Sequence, residues 1–367
     1  MSDTNETRHP TGATEDELPH LRKMVEVCTE KGLLERPEDL QEDDTLRGLQ
    51  DEDTLLRFLR GNACDVDKSV TQFQEAKVIR GNLEADAAYH DVDLDEFEDA
   101  RRMFPHWTGH RDKSGRPICL FDLSYINADV VKKYDDKRNK VSNKGSATSH
   151  DAARKMVVLH DYITRFAIPL CSKATDRPEP DAPITSMVML VELSQFSMKQ
   201  GWTLRNYVQD VSGLLSTCYP EMLHRVYMLN APSYFGYFWT FLKKWLEPRT
   251  AAKLEIIAPA DVQKTLFNLI DEDSIPAQFG GKCPYTHGLV PQVDEGLRKL
   301  LGTAEGAALP KGPIKWVVNA AGDEELVAVG TSGEKVRKDL VWTSKAAAKE
   351  GGAVQEEEAA AAPQEAA

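Results

Sequence analysis

Apolar positions along the chain follow two rhythms, and the change between them divides the sequence. From Leu18 to about Glu98 they recur at helical spacing in short pieces. Leu55, Leu56, Phe58 and Leu59 fall within 51–59, and Val66, Val70, Phe73 and Ala76 follow Asp65 and Asp67, either of which can cap a helix. This predicts a small all-helical unit. From Gly115 onward short, nearly continuous apolar runs take over: PICLFDL (117–123), ITSMVMLVEL (184–193), RVYMLNAP (225–232) and KLEIIAP (253–259). Strands covered on both faces have this character. Between the first two runs Met156, Leu159, Ile163, Phe166 and Leu170 are spaced 3, 4, 3 and 4 apart, and between the next two Leu204, Val208, Val211 and Leu215 are spaced 4, 3 and 4 apart. Strand-helix-strand order repeated in this way predicts an α/β fold, with helices packed on a mixed, largely parallel sheet.

Outside these segments the pattern dissolves. Residues 1–17 are rich in Thr, Asp and Glu, and residues 345–367 are almost wholly Ala, Glu, Gln, Gly and Lys, so both ends are expected to be disordered. Residues 129–150 are polar and locally basic (Lys132, Lys133, Lys137, Arg138, Lys140, Lys144), as a mobile surface insert would be. Residues 311–343 suggest short strands or a packed extension.

Charge and motifs narrow the function. The 367 residues hold 45 basic and 59 acidic side chains, a net −14 that opposes long-range attraction to nucleic acid or anionic membrane, so no nucleic-acid partner is expected and any contact with a negative surface must be local. Six widely separated cysteines without a C-x-x-C pair, behind an acidic N-terminus with no export signal, read as reduced thiols in a cytoplasmic protein. The longest apolar run, Met187–Val191, is far below the roughly 18 residues of a spanning helix, and no lipidation signal is present. No nucleophile elbow, zinc-protease or phosphate-loop motif occurs; GTSGEK (330–335) has the residues of a phosphate loop at the wrong spacing. His106 and His110 are four apart, but Pro105 and Gly109 argue for a loop there rather than a metal-binding helix. Neither enzymatic activity, catalytic residues, metal nor cofactor is expected.

One segment stands out. SYFGYFWTFLKKW (233–245) holds seven aromatics in thirteen residues. At helical spacing Phe235, Phe238 or Trp239, Leu242 and Trp245 form one apolar face, with Lys243 and Lys244 extending sideways. Such a helix suits a bilayer interface, and it equally suits a core with two solvated lysines. The next stretch, EPRTAAK, places Pro248 where helices start and puts Thr250 and Lys253 three apart on one face. A helix start with a hydroxyl and an ammonium beside it would hold phosphate; a solvated Lys253 is the alternative.

Taken together, DEDTLLRFLRGNACDVDKSV (51–70), GRPICLFDL (115–123), YPEMLHRVYMLNAPSYF (219–235), WLEPRTAAKLEII (245–257) and IPAQFGGKC (275–283) resemble the CRAL-TRIO lipid-binding family, particularly its phosphatidylinositol-transfer branch. The resemblance implies a helical N-terminal lobe (18–110), a lipid-binding lobe (111–285) whose sheet floors an apolar pocket under a gate helix, and a C-terminal extension (286–344). It implies that Glu221, Thr250 and Lys253 grip an inositol phosphate, that Met187, Met189, Leu190, Tyr227 and Phe238 line the pocket, and that Phe235, Phe238, Trp239, Leu242 and Trp245 form the gate and meet the membrane. The expected activity is non-enzymatic transfer of a phospholipid monomer, first phosphatidylinositol, by a monomer that visits Golgi, endosomal or plasma membrane and serves lipid kinases. A carrier or sensor of another hydrophobe (sterol, tocopherol, retinoid or other phospholipid) and a lipid-regulated adaptor are the alternatives. Two departures bear on the ligand. Met187 and Met189 stand where phosphatidylcholine-binding members place serine and threonine, and Gly61, Asn62, Ala63 and Cys64 replace a basic stretch.

Overall fold

A computed structural model describes residues 12–126, 132, 150–246 and 248–344. The polar ends 1–11 and 345–367, nearly all of the basic insert, and Glu247 lie outside the described residues. Helices Leu18–Glu30 (α1), Glu52–Gly61 (α2), Val66–Asn82 (α3), Ala85–Asp91 (α4) and Leu94–Arg101 (α5) build the N-terminal lobe. Three of their starts are capped by aspartate: Asp51 accepts from the Thr54 amide, Asp65 from Lys68, and Asp93 from Asp95 and Glu96. The predicted apolar faces meet, with Phe58 and Phe73 edge to face at 5.1 Å. Residues 12–17 correct the expectation of disorder. Ala13 is fully buried, and Arg60 donates to the Gly12 carbonyl and to both carboxylate oxygens of Glu17, each at 2.8 Å.

Beside this lobe lies a five-stranded sheet in the order His106–Arg111 (β1), Pro117–Asp122 (β2), Met187–Glu192 (β3), Leu223–Leu229 (β4) and Leu254–Ile256 (β5). β1 runs antiparallel to β2, and the other pairs are parallel. The four apolar runs supply β2 to β5. β1 moves the start of the sheet ahead of the boundary expected at residue 110, because HWTGHR carries polar side chains that a strand buried along its whole length would not advertise. Burial lowers the pKa of both His106 and His110, and the His110 Nδ1 lies 3.1 Å from the Ser274 hydroxyl. Gly109, at φ +91°, cannot be replaced, since a Cβ there would meet the Gln292 carbonyl oxygen at 2.1 Å.

The crossover from β2 to β3 is His150–Asp161 (α6), a π turn over Tyr162–Ala167, and Ile168–Lys173 (α7); all five predicted core positions on it are fully buried. β3 leads through Met198–Thr203 (α8), begun by a Ser197–Gln200 capping box, and Arg205–Cys218 (α9) to β4. β4 leads through Phe235–Leu242 (α10) and Pro248–Ala252 (α11) to β5, and Val262–Leu269 (α12) follows. α12 covers one sheet face, built of Ile118, Leu120, Val188, Leu190, Tyr227 and Leu229. The opposite face, with Cys119, Phe121, Met187, Val191, Val226 and Met228, joins the main core of the helical lobe. After Glu295–Leu301 (α13) an antiparallel sheet of Ile314–Val318 (β6), Glu324–Ser332 (β7) and Lys335–Thr343 (β8) folds back onto the N-terminal lobe. There the Tyr89 hydroxyl donates to the Ile314 carbonyl at 2.6 Å.

Candidate functional site

The sheet face away from α12 does not close completely. Between it, α9 and the α10–α11 segment lies a cavity of about 440 Å³, whose walls include Met187, Met189, Val208, Val211, Leu215 and Leu223. Val208, Val211 and Leu215, predicted as an inward helix face, are only half-buried because they face this hollow. A second chamber of about 170 Å³ continues beneath α10 and shares Phe121, Met189, Tyr207, Val208, Leu223 and Leu246 with the first. Apart from Tyr207 and Thr250 it meets only apolar side chains, and the Tyr207 hydroxyl is turned away to the Met103 carbonyl. The space is therefore amphipathic: the first chamber mixes those apolar walls with polar ones, Gln72, His160, Ser216 and Tyr219 among them, and the second is almost wholly apolar.

Glu221, Arg249, Thr250 and Lys253 line the first chamber together. Glu221 ends the turn before β4 with φ +54°, a left-handed conformation that an L-residue adopts at a cost. Its carboxylate accepts from the Lys253 ammonium at 2.6 Å, and Lys253 also donates to the Leu223 carbonyl at 2.7 Å. β-Sheet pairing fixes Lys253, because its carbonyl accepts from the Val226 amide at 3.0 Å. The two side chains are 22 % and 23 % exposed, so water screens their attraction only in part. Arg249, 3.9 Å from Glu221, donates to the Arg60 and Gly61 carbonyls at 2.7 and 2.5 Å and ties this rim to the end of α2.

The expected grip residues thus come together, though not through the helix start the sequence suggested. α11 has only five residues, and Lys253 lies beyond its end, in the turn into β5. Met187 and Met189 line the first chamber and Phe238 the second. Leu190 and Tyr227 do not line either: they pair across β3 and β4 on the opposite face, under α12. The gate expectation is also corrected in direction. Phe235, Phe238 and Leu242 are buried against the chamber, Trp239 and Trp245 are half-buried, and the outward positions are Tyr234 and Tyr237.

Two residues at the site escaped notice in the sequence. Trp202, 46 % exposed, packs tilted against Phe241 at 5.2 Å and edge to face with Trp245 at 5.7 Å, adding α8 to the aromatic surface of α10. Its signal was the capping box just before it. Arg249 sat unremarked between the proline and the threonine of the same motif. All six cysteines are free thiols, five of them buried, and burial pushes Cys218 up to about 12. Among the described residues no cluster of ligating side chains could hold a metal, and no helix is long and apolar enough to cross a membrane.

Residues 102–281 match the model of the CRAL/TRIO domain. The chain carries a CRAL/TRIO domain over these residues. It is 25 % identical over 232 residues to the SEC14 cytosolic factor of Candida glabrata, covering 63 % of this chain and 71 % of that one. It is 27 % identical over 253 residues to the phosphatidylinositol/phosphatidylcholine transfer protein SFH11 of Arabidopsis thaliana, covering 67 % and 61 %. Among solved structures it is similar to that of Sfh5, with a TM-score of 0.51 and 15 % identity over 77 % of this chain and 93 % of the other, a likeness of fold. Proteins with this domain are characteristically non-enzymatic lipid binders and carriers.

Proposed function

We propose that the lipid is a phospholipid monomer, phosphatidylinositol first, held with its headgroup at Glu221, Thr250 and Lys253 and its acyl chains in the two apolar chambers. The observation that supports this most is that those three side chains line one chamber of mixed polar and apolar character, which opens into a second chamber that is almost wholly apolar. A carboxylate accepts from ring hydroxyls, while an ammonium and a hydroxyl donate to phosphate oxygens, and charge-assisted bonds of this kind are the stronger ones. Lys253 and Glu221 lie 2.6 Å apart, and an inositol phosphate offers a partner to each.

The energetic task is desolvation. At about 0.8 kcal/mol per methylene, moving two acyl chains into water costs on the order of 20 kcal/mol. Enclosure removes most of that barrier, provided the chamber opens only against a bilayer. α10 is the gate: Phe235, Phe238 and Leu242 close the chamber, while Tyr234, Tyr237, Lys243, Lys244 and Trp202 present an aromatic, locally basic face to headgroups. The protein works as a peripheral, cytoplasmic monomer that exchanges one lipid per docking event and delivers it to a second membrane or to a lipid-modifying enzyme. Vesicles containing phosphatidylinositol, incubated with purified protein, should yield a 1:1 complex by native mass spectrometry. Recovery of a phosphorus-free ligand instead would favour a sterol- or retinoid-type cargo, which Met187, Met189 and the inner chamber also suit.

A further inference from the structure

We propose that His160 makes the lipid site selective for the lipid's backbone: its Nε2 accepts a hydrogen bond from a lipid that carries a hydroxyl or amide hydrogen between headgroup and chains, and so favours monoacyl and sphingoid-based phospholipids over diacyl ones. The inference rests on the headgroup position proposed above and names the class of lipid that position takes. His160, near the end of α6, lines the first chamber with Pro105, Phe121, Met187, Met189 and Tyr207. Its ring stands 5.7 Å from that of Tyr219, two residues ahead of Glu221. It therefore lies close to the headgroup residues and, being buried where Glu221 is partly exposed, deeper than they do.

The two nitrogens of the ring are unlike. Nδ1 lies 2.7 Å from the Met156 carbonyl, one turn earlier on α6. A carbonyl only accepts, so Nδ1 carries the proton and Nε2 is left with a bare lone pair. Burial holds the pKa of the ring at about 4, so at neutral pH it is uncharged and Nε2 remains an acceptor. Nε2 has no hydrogen-bond partner among the described residues, and of the buried side-chain nitrogens and oxygens in that condition it is the one whose residue lines a lipid chamber. Three donors on the same walls are spent elsewhere. The Tyr219 hydroxyl donates to Asp161 at 2.6 Å, the Tyr207 hydroxyl to the Met103 carbonyl at 2.7 Å, and the Gln72 amide to the Ser216 and Thr217 carbonyls.

A buried acceptor without a donor is costly, and a ligand in the chamber is the source that remains. In a diacyl glycerolipid both glycerol oxygens below the phosphate are esterified, so that region brings only acceptors and leaves Nε2 unanswered. A monoacyl phospholipid keeps a free glycerol hydroxyl there, and a sphingoid backbone has a hydroxyl and an amide N–H. Either can donate to Nε2 while Glu221, Thr250 and Lys253 hold the same inositol phosphate. Nε2 is itself covered, and Met187 and Met189 on the same wall have unbranched side chains that repack readily around a ligand.

The test is competitive extraction by the full chain from vesicles, read by native mass spectrometry, with two pairs of inositol lipids of matched chains. Lysophosphatidylinositol is set against its 2-deoxy analogue, and inositol phosphoceramide against phosphatidylinositol. The members of a pair share headgroup and number of chains and differ in the backbone donor. Wild type should recover the donor-bearing member in about tenfold excess in at least one pair, which names the source of the donor, and His160→Phe should bring that ratio to parity. Equal recovery within both pairs by wild type, or an excess undiminished in His160→Phe, overturns the inference and leaves the headgroup reading standing. Recovery of no inositol lipid at all overturns both, so the two failures are told apart. If His160→Phe does not fold, nitrogen NMR of histidine-labelled wild type decides. The Nε2 resonance of His160 should move upfield with a donor-bearing lipid and not with its donor-free partner, and the same position with both overturns the inference.

Discussion

At the scale of single residues, the site rests on one ion pair and the fold on several buried groups that must keep one protonation state. Lys253→Ala removes a charge-assisted donor worth about 1.5–3 kcal/mol, so phosphatidylinositol transfer between vesicles should fall at least roughly tenfold, with binding of the protein to vesicles retained. Equal transfer by wild type and variant would place the headgroup elsewhere. The buried histidines make a different prediction. His160 is held at about 4, against an ordinary value near 6.5, because burial disfavours its charged form. His106, His110 and His287 are lowered for the same reason. The folded state then binds fewer protons than the unfolded one between these limits. Stability is fully present above about pH 6.5 and is lost as pH falls toward 4, by about 2 kcal/mol at pH 5 for His160 alone. Urea midpoints measured at pH 7, 6 and 5 should drop progressively, and His160→Gln should flatten that slope. A midpoint constant down to pH 5 would contradict the burial of these rings.

At the scale of elements, what could be read from the sequence was the order of strands and helices, and what could not was the direction some of them face. β2 to β5 were legible because buried parallel strands are continuous apolar runs. The same continuity hides which residues face which way. Met189 and Leu190 were both assigned to the pocket, yet adjacent strand residues point to opposite faces, and Leu190 with its neighbour Tyr227 belongs under α12. β1 was missed because its burial is carried by histidine, threonine and tryptophan rather than aliphatic residues. The apolar face of α10 was found by its 3.6 period, but periodicity does not say whether that face meets a bilayer or a chamber. In the structure that face is buried against the chamber, and substitutions test the membrane role proposed for the outer one. Tyr237→Glu and Trp202→Glu, at positions 65 % and 46 % exposed, should both weaken vesicle binding severalfold in flotation assays; stability should stay within about 0.5 kcal/mol for Tyr237→Glu and fall by about 1 kcal/mol for Trp202→Glu, which loses its ring contacts. Phe238→Ala should instead cost about 3 kcal/mol, since that ring is buried among Phe196, Phe235 and Trp245. Destabilisation by Tyr237→Glu as large as that of Phe238→Ala would show that the outer face of α10 is packed rather than free.

At the scale of the whole molecule, the C-terminal sheet is built into the N-terminal lobe, and long-range charge is the reason. Lys315 on β6 is fully buried and places its ammonium 3.2 Å from Asp44, 271 residues earlier in the chain. Asp44 also accepts from Arg165 of the π turn at 2.7 Å, Arg165 approaches Asp86 and Asp161, and Arg80 of α3 binds both of those carboxylates at 2.7 Å. One network thus joins the helical lobe, the crossover helix beneath the lipid cavity and the extension. No local pattern could announce it, because its members are single charged residues spread through sequence that otherwise reads as solvated surface. Trp316 adds packing, with Arg47 and Lys173 over its ring and Trp342 at its edge. Ending the chain at Pro310 would remove Lys315 and Trp316 together. It would leave Asp44 with one cation instead of two and the Tyr89 hydroxyl without its acceptor. Losing one partner of a buried pair costs about 3–5 kcal/mol when nothing replaces it; with Arg165 retained, Lys315→Met should cost about 1–3 kcal/mol, and the truncation more. Hydrogen exchange should then rise in α2, α4 and the π turn, far from the cut. An independent appendage would behave otherwise, with the urea midpoint of the truncated chain unchanged and exchange in the helical lobe identical to that of the full protein.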